Sequence, residues 1–165
     1  DPLTQLLNRR GLEAVLDYFT TTRQPFALLA LDIDHFKRVN DTWGHDVGDR
    51  VIQQVAQQLK SCTRQTDVAC RSGGEEFLMI LPGTDHETAM LMAERVRQGM
   101  QRQTIEPVGA VTLSIGVSCW LTEGETIARC FRRADEALYR AKSVGRNCVI
   151  AAAARDEAGT PLCDR

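Results

Sequence analysis

One short segment constrains the fold of this chain more than any other. Six consecutive apolar residues at 26–31, Phe-Ala-Leu-Leu-Ala-Leu, end abruptly at Asp32-Ile33-Asp34. The run is short and lies between two breaks, so it predicts a strand. Because successive side chains of a strand point to opposite faces, an unbroken apolar run predicts burial on both of them. The sequence therefore predicts a central strand in a sheet that helices flank.

Hydrophobic periodicity and turn residues predict the elements around this strand. A capping box, Thr84-x-x-Glu87, is expected to open one of the helices, and Gly73-Gly74 predicts a hairpin turn at 72–75. The predicted helices cover 8–22, 35–39, 46–62, 84–103 and 126–143, and the further strands cover 67–71, 76–81, 111–118 and 148–152.

The order of predicted elements from 26 to 118 is β-α-β-β-α-β. This is the split βαβ, or ferredoxin-like, arrangement. With the last helix and strand it predicts an α/β (α+β) fold whose mainly antiparallel sheet is flanked by helices. We expect one domain over 1–152 and a loose tail over 153–165. A topology of this kind hosts many functions, so it names none by itself.

Composition excludes several classes of function. The chain has 165 residues and a formal net charge of −2, whereas a general binder of nucleic acid or anionic membrane needs a basic surface. No apolar run is long enough to span a membrane. The six cysteines include no C-x-x-C pair, which predicts reduced thiols in a cytoplasmic domain. Because the chain begins with Asp1, we expect a fragment whose upstream part could carry a membrane anchor.

Three acidic residues stand where local structure does not favour them. Asp32 ends the buried strand, and Glu75 and Glu76 follow the glycine pair of the hairpin. If the hairpin lies beside the first strand, the three carboxylates form a cluster that needs protons or a bound cation. Hard oxygen ligands select Mg²⁺ or Mn²⁺. Two simpler interpretations stay open: Asp34 is the N-cap of the next helix, and Glu75-Glu76 is a solvated turn.

Several ordered segments resemble the signature of one family. They are Asp32-Ile-Asp-His-Phe-Lys-Arg-Val-Asn-Asp, Gly44-His-Asp-Val-Gly-Asp and Arg71-Ser-Gly-Gly-Glu-Glu-Phe, with further matches that begin at Asp1, Leu113, Ala134 and Lys142. Over about residues 1–150 the chain closely resembles the GGDEF family of diguanylate cyclases, in its GGEEF variant. The resemblance implies a fold similar to the nucleotidyl-cyclase and polymerase palm. It also implies condensation of two GTP into cyclic di-GMP, with release of pyrophosphate.

The resemblance further implies roles for individual residues. Asp32 and the Ile33 carbonyl are similar to magnesium ligands. Glu75 and Glu76 are similar to glutamates that bind metal and activate the ribose 3′-hydroxyl, and their coupled titration leaves the division of these roles open. Lys37 would act on the phosphates during catalysis. The implied substrate-binding positions are Phe36, Asn40, His45, Asp49, Gly73, Gly74, Lys142 and Arg146.

Most of these positions also have an ordinary structural interpretation. Lys37 and Arg146 are then solvated helix charges, Asn40 is part of a turn, and Asp49 and His45 are residues of a helix start. Under the resemblance, Asn40 and Asp49 recognise guanine. An ionised Asp accepts hydrogen bonds from N1–H and N2–H₂ of guanine, a donor pair that adenine lacks, so the site should reject ATP.

A second site is implied at Arg64-Gln-Thr-Asp67. This segment resembles the RxxD motif through which cyclic di-GMP inhibits members of the family, and Arg95 resembles the supporting arginine of that site. The alternative is a local surface ion pair between Arg64 and Asp67, worth roughly 0–1 kcal/mol.

The implied product joins two identical halves, which predicts a two-fold homodimer of domains. The family also implies an upstream sensor or dimerisation module. The main alternative is a catalytically inactive GGDEF module that binds GTP or cyclic di-GMP as a signalling receptor. An RNA-binding domain of similar topology fits poorly, because the strands lack an aromatic stacking platform.

Overall fold

The protein is built on a five-stranded sheet with helices on both faces. The computed structural model describes residues 1–153, so the predicted tail, apart from its first residue, lies outside the described residues. In chain order the elements are α1 (Arg9–Thr22), β1 (Phe26–Ile33), α2 (Phe36–Trp43), α3 (His45–Cys62), β2 (Val68–Arg71), β3 (Glu76–Pro82), α4 (His86–Gln101), β4 (Leu113–Trp120), α5 (Ile127–Ser143) and β5 (Val149–Ala151).

The strands lie in the order β2-β3-β1-β4-β5. Neighbouring strands are antiparallel except β4 and β5, which are parallel. The first four strands therefore have the order of a split βαβ core, in which β3 lies between the two strands of the first βαβ unit. The predicted mixed α/β fold with a mainly antiparallel sheet is confirmed.

The central strand β1 is buried along its whole length. Leu29 and Leu31 on one face pack in the core that α2, α3 and α4 cover. Phe26, Leu28 and Ala30 on the other face pack in the core that α1 and α5 cover. The predicted burial on both faces is confirmed, and it fixes the position of Asp32-Ile33 at the end of the strand.

The helix after β1 differs from its prediction. It continues to Trp43, so Asn40 is helical and is not part of a turn, and Gly44 ends the helix with a φ of 86°. His35 takes the N-cap position without a side-chain cap bond. The predicted role of Asp34 as the N-cap is therefore wrong, because its carboxylate accepts hydrogen bonds from distant parts of the chain instead.

The capping box predicted at Thr84 is also wrong. Asp85 is the N-cap of α4, and its carboxylate accepts a hydrogen bond from the Thr88 N–H at 2.8 Å. The Thr84 hydroxyl instead accepts a hydrogen bond from the Arg64 guanidinium at 2.8 Å. A contact with a residue distant in sequence thus engages the side chain that the local pattern predicted to cap the helix.

No helix among residues 1–153 has both the length and the apolar character needed to cross a bilayer. The thiols of Cys62, Cys70, Cys119, Cys130 and Cys148 are free, as predicted, and Cys163 lies outside the described residues. Burial raises the pKa of Cys70 and Cys130 to about 11. These two thiols therefore stay protonated near neutral pH and contribute as small apolar side chains.

Candidate active site

The β2–β3 hairpin brings its turn to the end of β1. Asp32 lies opposite Glu76 in the antiparallel pairing of β1 with β3, and the Ile33 N–H donates to the Glu75 carbonyl at 3.2 Å. The Ser72 N–H closes the turn by donating to the Glu76 carbonyl at 3.0 Å. The structure thus brings the three predicted acidic residues to one end of the sheet.

Arg71 supports the glycine turn, and the sequence analysis missed this role. Its Nε donates to the carbonyls of Gly73 and Gly74 at 3.2 Å each, and Nη2 donates to Gly74 at 2.9 Å. Its Nη1 lies 3.4 Å from the Asp1 carboxylate. A Cβ on Gly73 would lie 2.7 Å from Glu76 Oε2, so a larger residue there would displace the Glu76 carboxylate. The signal available in the sequence was an arginine just before the Gly-Gly pair.

The acidic residues repel one another, and Lys142 of α5 partly compensates. Its Nζ lies 2.9 Å from Oδ2 of Asp32, whose side chain is only 7% exposed. Burial raises the pKa of Asp32; the Lys142 ammonium opposes this, and the charges of Glu76 and Asp34 add to it. Burial also raises the pKa of Glu75, and the Asp32 carboxylate adds to that shift. The ionised cluster therefore favours a bound cation.

The donor atoms at this end of the sheet have the chemistry that Mg²⁺ or Mn²⁺ prefers. Asp32, Glu75 and Glu76 supply carboxylate oxygens, and Ile33 adds a backbone carbonyl. Within the described part of the chain, however, no three His, Cys, Asp or Glu side chains already converge on a metal position. The Asp32 carboxylate is engaged by the Lys142 ammonium instead. The ligands fit the ion by type, and their assembly would accompany its binding.

A cleft of about 470 Å³ lies beside these carboxylates. Asp32 and Glu75 line one part of it, and Phe36 lines it while remaining mostly buried. Its basic side chains are Lys37, Arg38, Lys142 and Arg146. Cations that face carboxylates across one cleft suit a polyphosphate that arrives with a divalent ion.

Five predicted substrate residues and Glu76 lie outside the lining of this cleft. Gly73 and Gly74 lie in the hairpin turn and Glu76 begins β3, whereas the other three lie near the junction of α2 and α3. His45 and Asp49 are exposed in the first two turns of α3. Asn40 lies against Gly48, where an added Cβ would be 2.0 Å from Asn40 Oδ1. That oxygen is buried and has no hydrogen-bond partner among the described residues, which costs free energy until a donor reaches it.

The predicted inhibitory residues occupy two places. Arg64 and Asp67 form an ion pair at 3.3 Å, in which the Arg64 side chain remains 57% exposed. The Arg64 backbone N–H also donates to the Asp67 carboxylate at 2.8 Å. Arg95 lines a separate groove of about 530 Å³ between α3 and α4. The structure thus brings Arg64 and Asp67 into contact, whereas Arg95 lies apart from them.

Solved domains share this architecture. The GGDEF domain of DgcB from Caulobacter crescentus, solved in complex with c-di-GMP, is 39% identical with a TM-score of 0.84, and the match covers 92% of this chain and 94% of that one. The active GGEEF domain of a diguanylate cyclase from Vibrio cholerae is 37% identical with a TM-score of 0.83, covering 91% and 99%. The fold therefore defines a domain of the nucleotidyl-cyclase palm type.

Sequence comparisons narrow this class to one family. The family model described as "Diguanylate cyclase, GGDEF domain" matches residues 1–148. Response regulator PleD of Caulobacter vibrioides is 42% identical in an alignment 163 residues long that covers 93% of this chain and 36% of PleD. Diguanylate cyclase DgcM of Escherichia coli K12 is 42% identical in an alignment 157 residues long that covers 92% of this chain and 38% of DgcM. The chain belongs to the GGDEF family, and it spans little more than a third of these curated relatives.

Proposed function

We propose that this domain is a diguanylate cyclase, which condenses two molecules of GTP into cyclic di-GMP and releases two of pyrophosphate. The observation that carries the proposal is the register of β1 and β3, in which Asp32 lies opposite Glu76. Glu75 is adjacent, and Lys142 pairs with Asp32 in a cleft that both residues line. Membership of a family whose named relatives include diguanylate cyclases supports the same activity.

The reaction consists of two equivalent nucleotidyl transfers. In each, the ribose 3′-oxygen of one GTP forms a bond to the α-phosphorus of the other, and the bond from that phosphorus to the bridging oxygen breaks. Pyrophosphate leaves with the electron pair, and the hydroxyl proton passes to a carboxylate. Glu75 is our candidate for this base, because burial raises its pKa and a base works best when its pKa approaches the operating pH. Glu76 is the other candidate.

Asp32, the Ile33 carbonyl, Glu75 and Glu76 would hold the divalent ions. Bound magnesium or manganese would supply positive charge that lowers the pKa of the attacking hydroxyl and neutralises charge on the phosphates. The residues of this chain must hold these oxygens together at the end of β1, despite the burial and the mutual repulsion that raise the pKa of Asp32 and Glu75.

Basic side chains of the cleft would bind the phosphates. Lys142 and Arg146 reach it from α5 and the loop that follows, and Lys37 reaches it from α2. Arginine can bind phosphate with two hydrogen bonds, whereas lysine acts as a point charge. Gly73 and Gly74, which carry no side chains, would let the turn approach ribose and phosphate closely.

Residues of α2 and α3 would select the base. The Asp49 carboxylate accepts from N1–H and N2–H₂ of guanine, and the unpaired amide oxygen of Asn40 gains a donor partner. Phe36 and His45 complete the contacts to base and ribose. Adenine cannot supply the same donors, so ATP should be a poor substrate.

Catalysis would need two copies of the domain. Each domain holds one GTP, and a two-fold homodimer brings the two reacting sites face to face. An upstream sensor or dimerisation module would control this encounter in the cytoplasm. A coiled coil accompanies the GGDEF domain of DgcB in one solved structure, which supports such an arrangement.

Cyclic di-GMP would also inhibit the enzyme at Arg64 and Asp67, with Arg95 in support. Arg can bond to O6 and N7 of guanine through two N–H groups, and Asp67 can accept from the opposite edge of a base. The 57% exposure of the Arg64 side chain supports its part in this role, whereas the Asp67 side chain is 0% exposed and would have to leave its ion pair with Arg64 to reach a base.

The proposal is tested by incubating the domain with GTP and Mg²⁺ at high protein concentration and identifying the product by mass. Wild type should form cyclic di-GMP, and Glu76→Gln should not. Glu136→Gln, which changes an exposed carboxylate of α5 that does not line the cleft, is the matched control and should stay active. Absence of product with GTP still bound would instead support a catalytically inactive receptor module.

A further inference from the structure

The loop after α5 carries Arg146 in a backbone conformation that needs support. The φ angles of Gly145, Arg146 and Asn147 are 126°, 63° and 46°. Residues other than glycine rarely adopt such angles unless surrounding groups hold them. The Arg146 N–H donates to the Ala141 carbonyl at 3.0 Å, which ties the loop to its own helix. We call residues 145–147 the Arg146 loop.

A buried carboxylate that is distant in sequence, that of Asp34, holds this loop. Asp34 Oδ2 accepts from the Asn147 backbone N–H at 3.0 Å and from the Thr112 hydroxyl at 2.7 Å. Asp34 Oδ1 accepts from the Ser114 hydroxyl at 2.6 Å. Asp34 is 5% exposed, so these bonds form in a poorly solvated environment where a charged acceptor binds strongly.

The side chain of Asn147 supplies a second anchor. Its Oδ1 accepts from Nη1 of Arg97 at 2.8 Å, and the Arg97 guanidinium is paired in turn with Glu94 on the same helix, α4. The loop is therefore held from two sides, by Asp34 through its backbone and by Arg97 through its side chain.

We propose that Asp34 is a positioning residue, whose carboxylate fixes the Arg146 loop so that the Arg146 guanidinium faces the triphosphate. The inference rests on the proposed function, because it takes Arg146 to bind phosphate. Asp34 and Arg146 line the same cleft, yet both Asp34 oxygens are already bonded to protein groups. Asp34 thus serves the site through the loop, whereas Asp32, two residues earlier, faces Lys142.

The test compares two probes by isothermal titration calorimetry. One is 3′-deoxy-GTP, which has no 3′-hydroxyl and cannot react, and the other is guanosine, which has no phosphate. Asp34→Ala should weaken binding of 3′-deoxy-GTP about tenfold and change that of guanosine less than about twofold. Asp34→Asn should restore most of the loss, because its amide oxygen can still accept from the Asn147 N–H.

Two further variants separate positioning from general stability. Ser114→Ala removes an Asp34 bond that does not reach the loop, so it should lower the unfolding temperature without changing the preference for 3′-deoxy-GTP over guanosine. Asn147→Gly keeps the positive φ but loses the Arg97 contact, and Asn147→Asp keeps an acceptor for Arg97. Asn147→Gly should weaken only the binding of 3′-deoxy-GTP, and Asn147→Asp should bind both probes like wild type. This pair tests the loop even if Asp34→Ala fails to fold.

The inference would be overturned if folded Asp34→Ala and Asn147→Gly bound both probes more weakly to the same degree. It would also be overturned if these variants bound 3′-deoxy-GTP like wild type. If Arg146→Ala weakens that probe while the Asp34 and Asn147 variants do not, only the positioning role fails. If the wild-type domain binds neither probe, the proposed function fails together with it.

Discussion

Gly116, in the middle of β4, sets how closely α5 can approach the sheet. A Cβ built on this glycine would lie 2.2 Å from the Ala134 carbonyl oxygen and 2.4 Å from the Leu138 nitrogen, both in the backbone of α5. Ordinary contact begins near 3.4 Å, so α5 would have to withdraw by about 1.2 Å to admit one methyl group. No side-chain rotation can relieve this overlap, because the opposing atoms belong to a helix backbone.

The cost of Gly116→Ala follows from that geometry. Overpacking of a dense core typically costs about 1–3 kcal/mol, and a rigid backbone contact belongs at the upper end, so we expect a loss near 3 kcal/mol in unfolding free energy. The same withdrawal would move Lys142, later on α5, away from Asp32, from which it now lies 2.9 Å. The variant should therefore lose both stability and affinity for GTP.

Urea unfolding followed by tryptophan fluorescence measures the first effect, since Trp120 at the end of β4 is only 5% exposed. Gly99→Ala is the matched control, because its Cβ would meet only the end of the flexible Gln58 side chain. Alanine also favours the helix at that position by roughly 1 kcal/mol, so the control should remain within about 1 kcal/mol of wild type. A Gly116→Ala variant that unfolds at the wild-type urea midpoint would refute the close-approach argument.

Three other substitutions test the electrostatics and the second site. Burial raises the pKa of Glu75 above its ordinary value of 4.5, so the folded state binds more protons than the unfolded chain and loses stability as pH rises through the folded-state pKa; metal-free Glu75→Gln should therefore be more stable than wild type in urea at pH 7, and the difference should shrink as pH falls through the folded-state pKa and vanish below pH 4.5. Glu125→Ala leaves the Arg133 guanidinium, whose side chain is 9% exposed, without its 2.6 Å partner and should cost about 3–5 kcal/mol in the same assay, whereas a loss below about 1 kcal/mol would count against a buried ion pair. Arg64→Ala removes the ion pair with Asp67 and should relieve inhibition by added cyclic di-GMP in a pyrophosphate-release assay without abolishing turnover, and equal inhibition of both proteins would contradict the inhibitory role.

The local sequence pattern was sufficient to predict the central strand of the fold. The apolar run at 26–31 could be read as a doubly covered strand because both of its alternating faces are apolar, and each face now packs in its own core. The hairpin at Gly73-Gly74 and the order of strands bring Asp32 opposite Glu76, an arrangement that the predicted topology permitted. These features depend on short-range periodicity and on a connection rule, both of which are visible in one sequence.

What the sequence could not supply was the partner of each polar side chain. Asp34 and Thr84 both fit local capping patterns, yet contacts with distant residues engage them instead. Lys142 could be recognised as a basic residue near a helix end, but not as the counter-ion of Asp32, from which 110 positions separate it. A hydrogen bond across such a separation depends on the completed packing of α5 on the sheet, which no local pattern encodes.

The ion pair of Lys142 with Asp32 couples the binding of two ligands that the proposed reaction needs, the nucleoside triphosphate and the divalent ion. In the protein alone, Lys142 is the cation that offsets the burial of Asp32. A triphosphate that draws the Lys142 ammonium toward itself leaves that carboxylate without its counter-ion, which raises the cost of keeping it ionised. A divalent ion on Asp32 would remove this cost and free Lys142 for phosphate. Each ligand would then favour the binding of the other, and reciprocity requires the two couplings to be equal, so under the proposed function we expect nucleotide and metal to bind cooperatively.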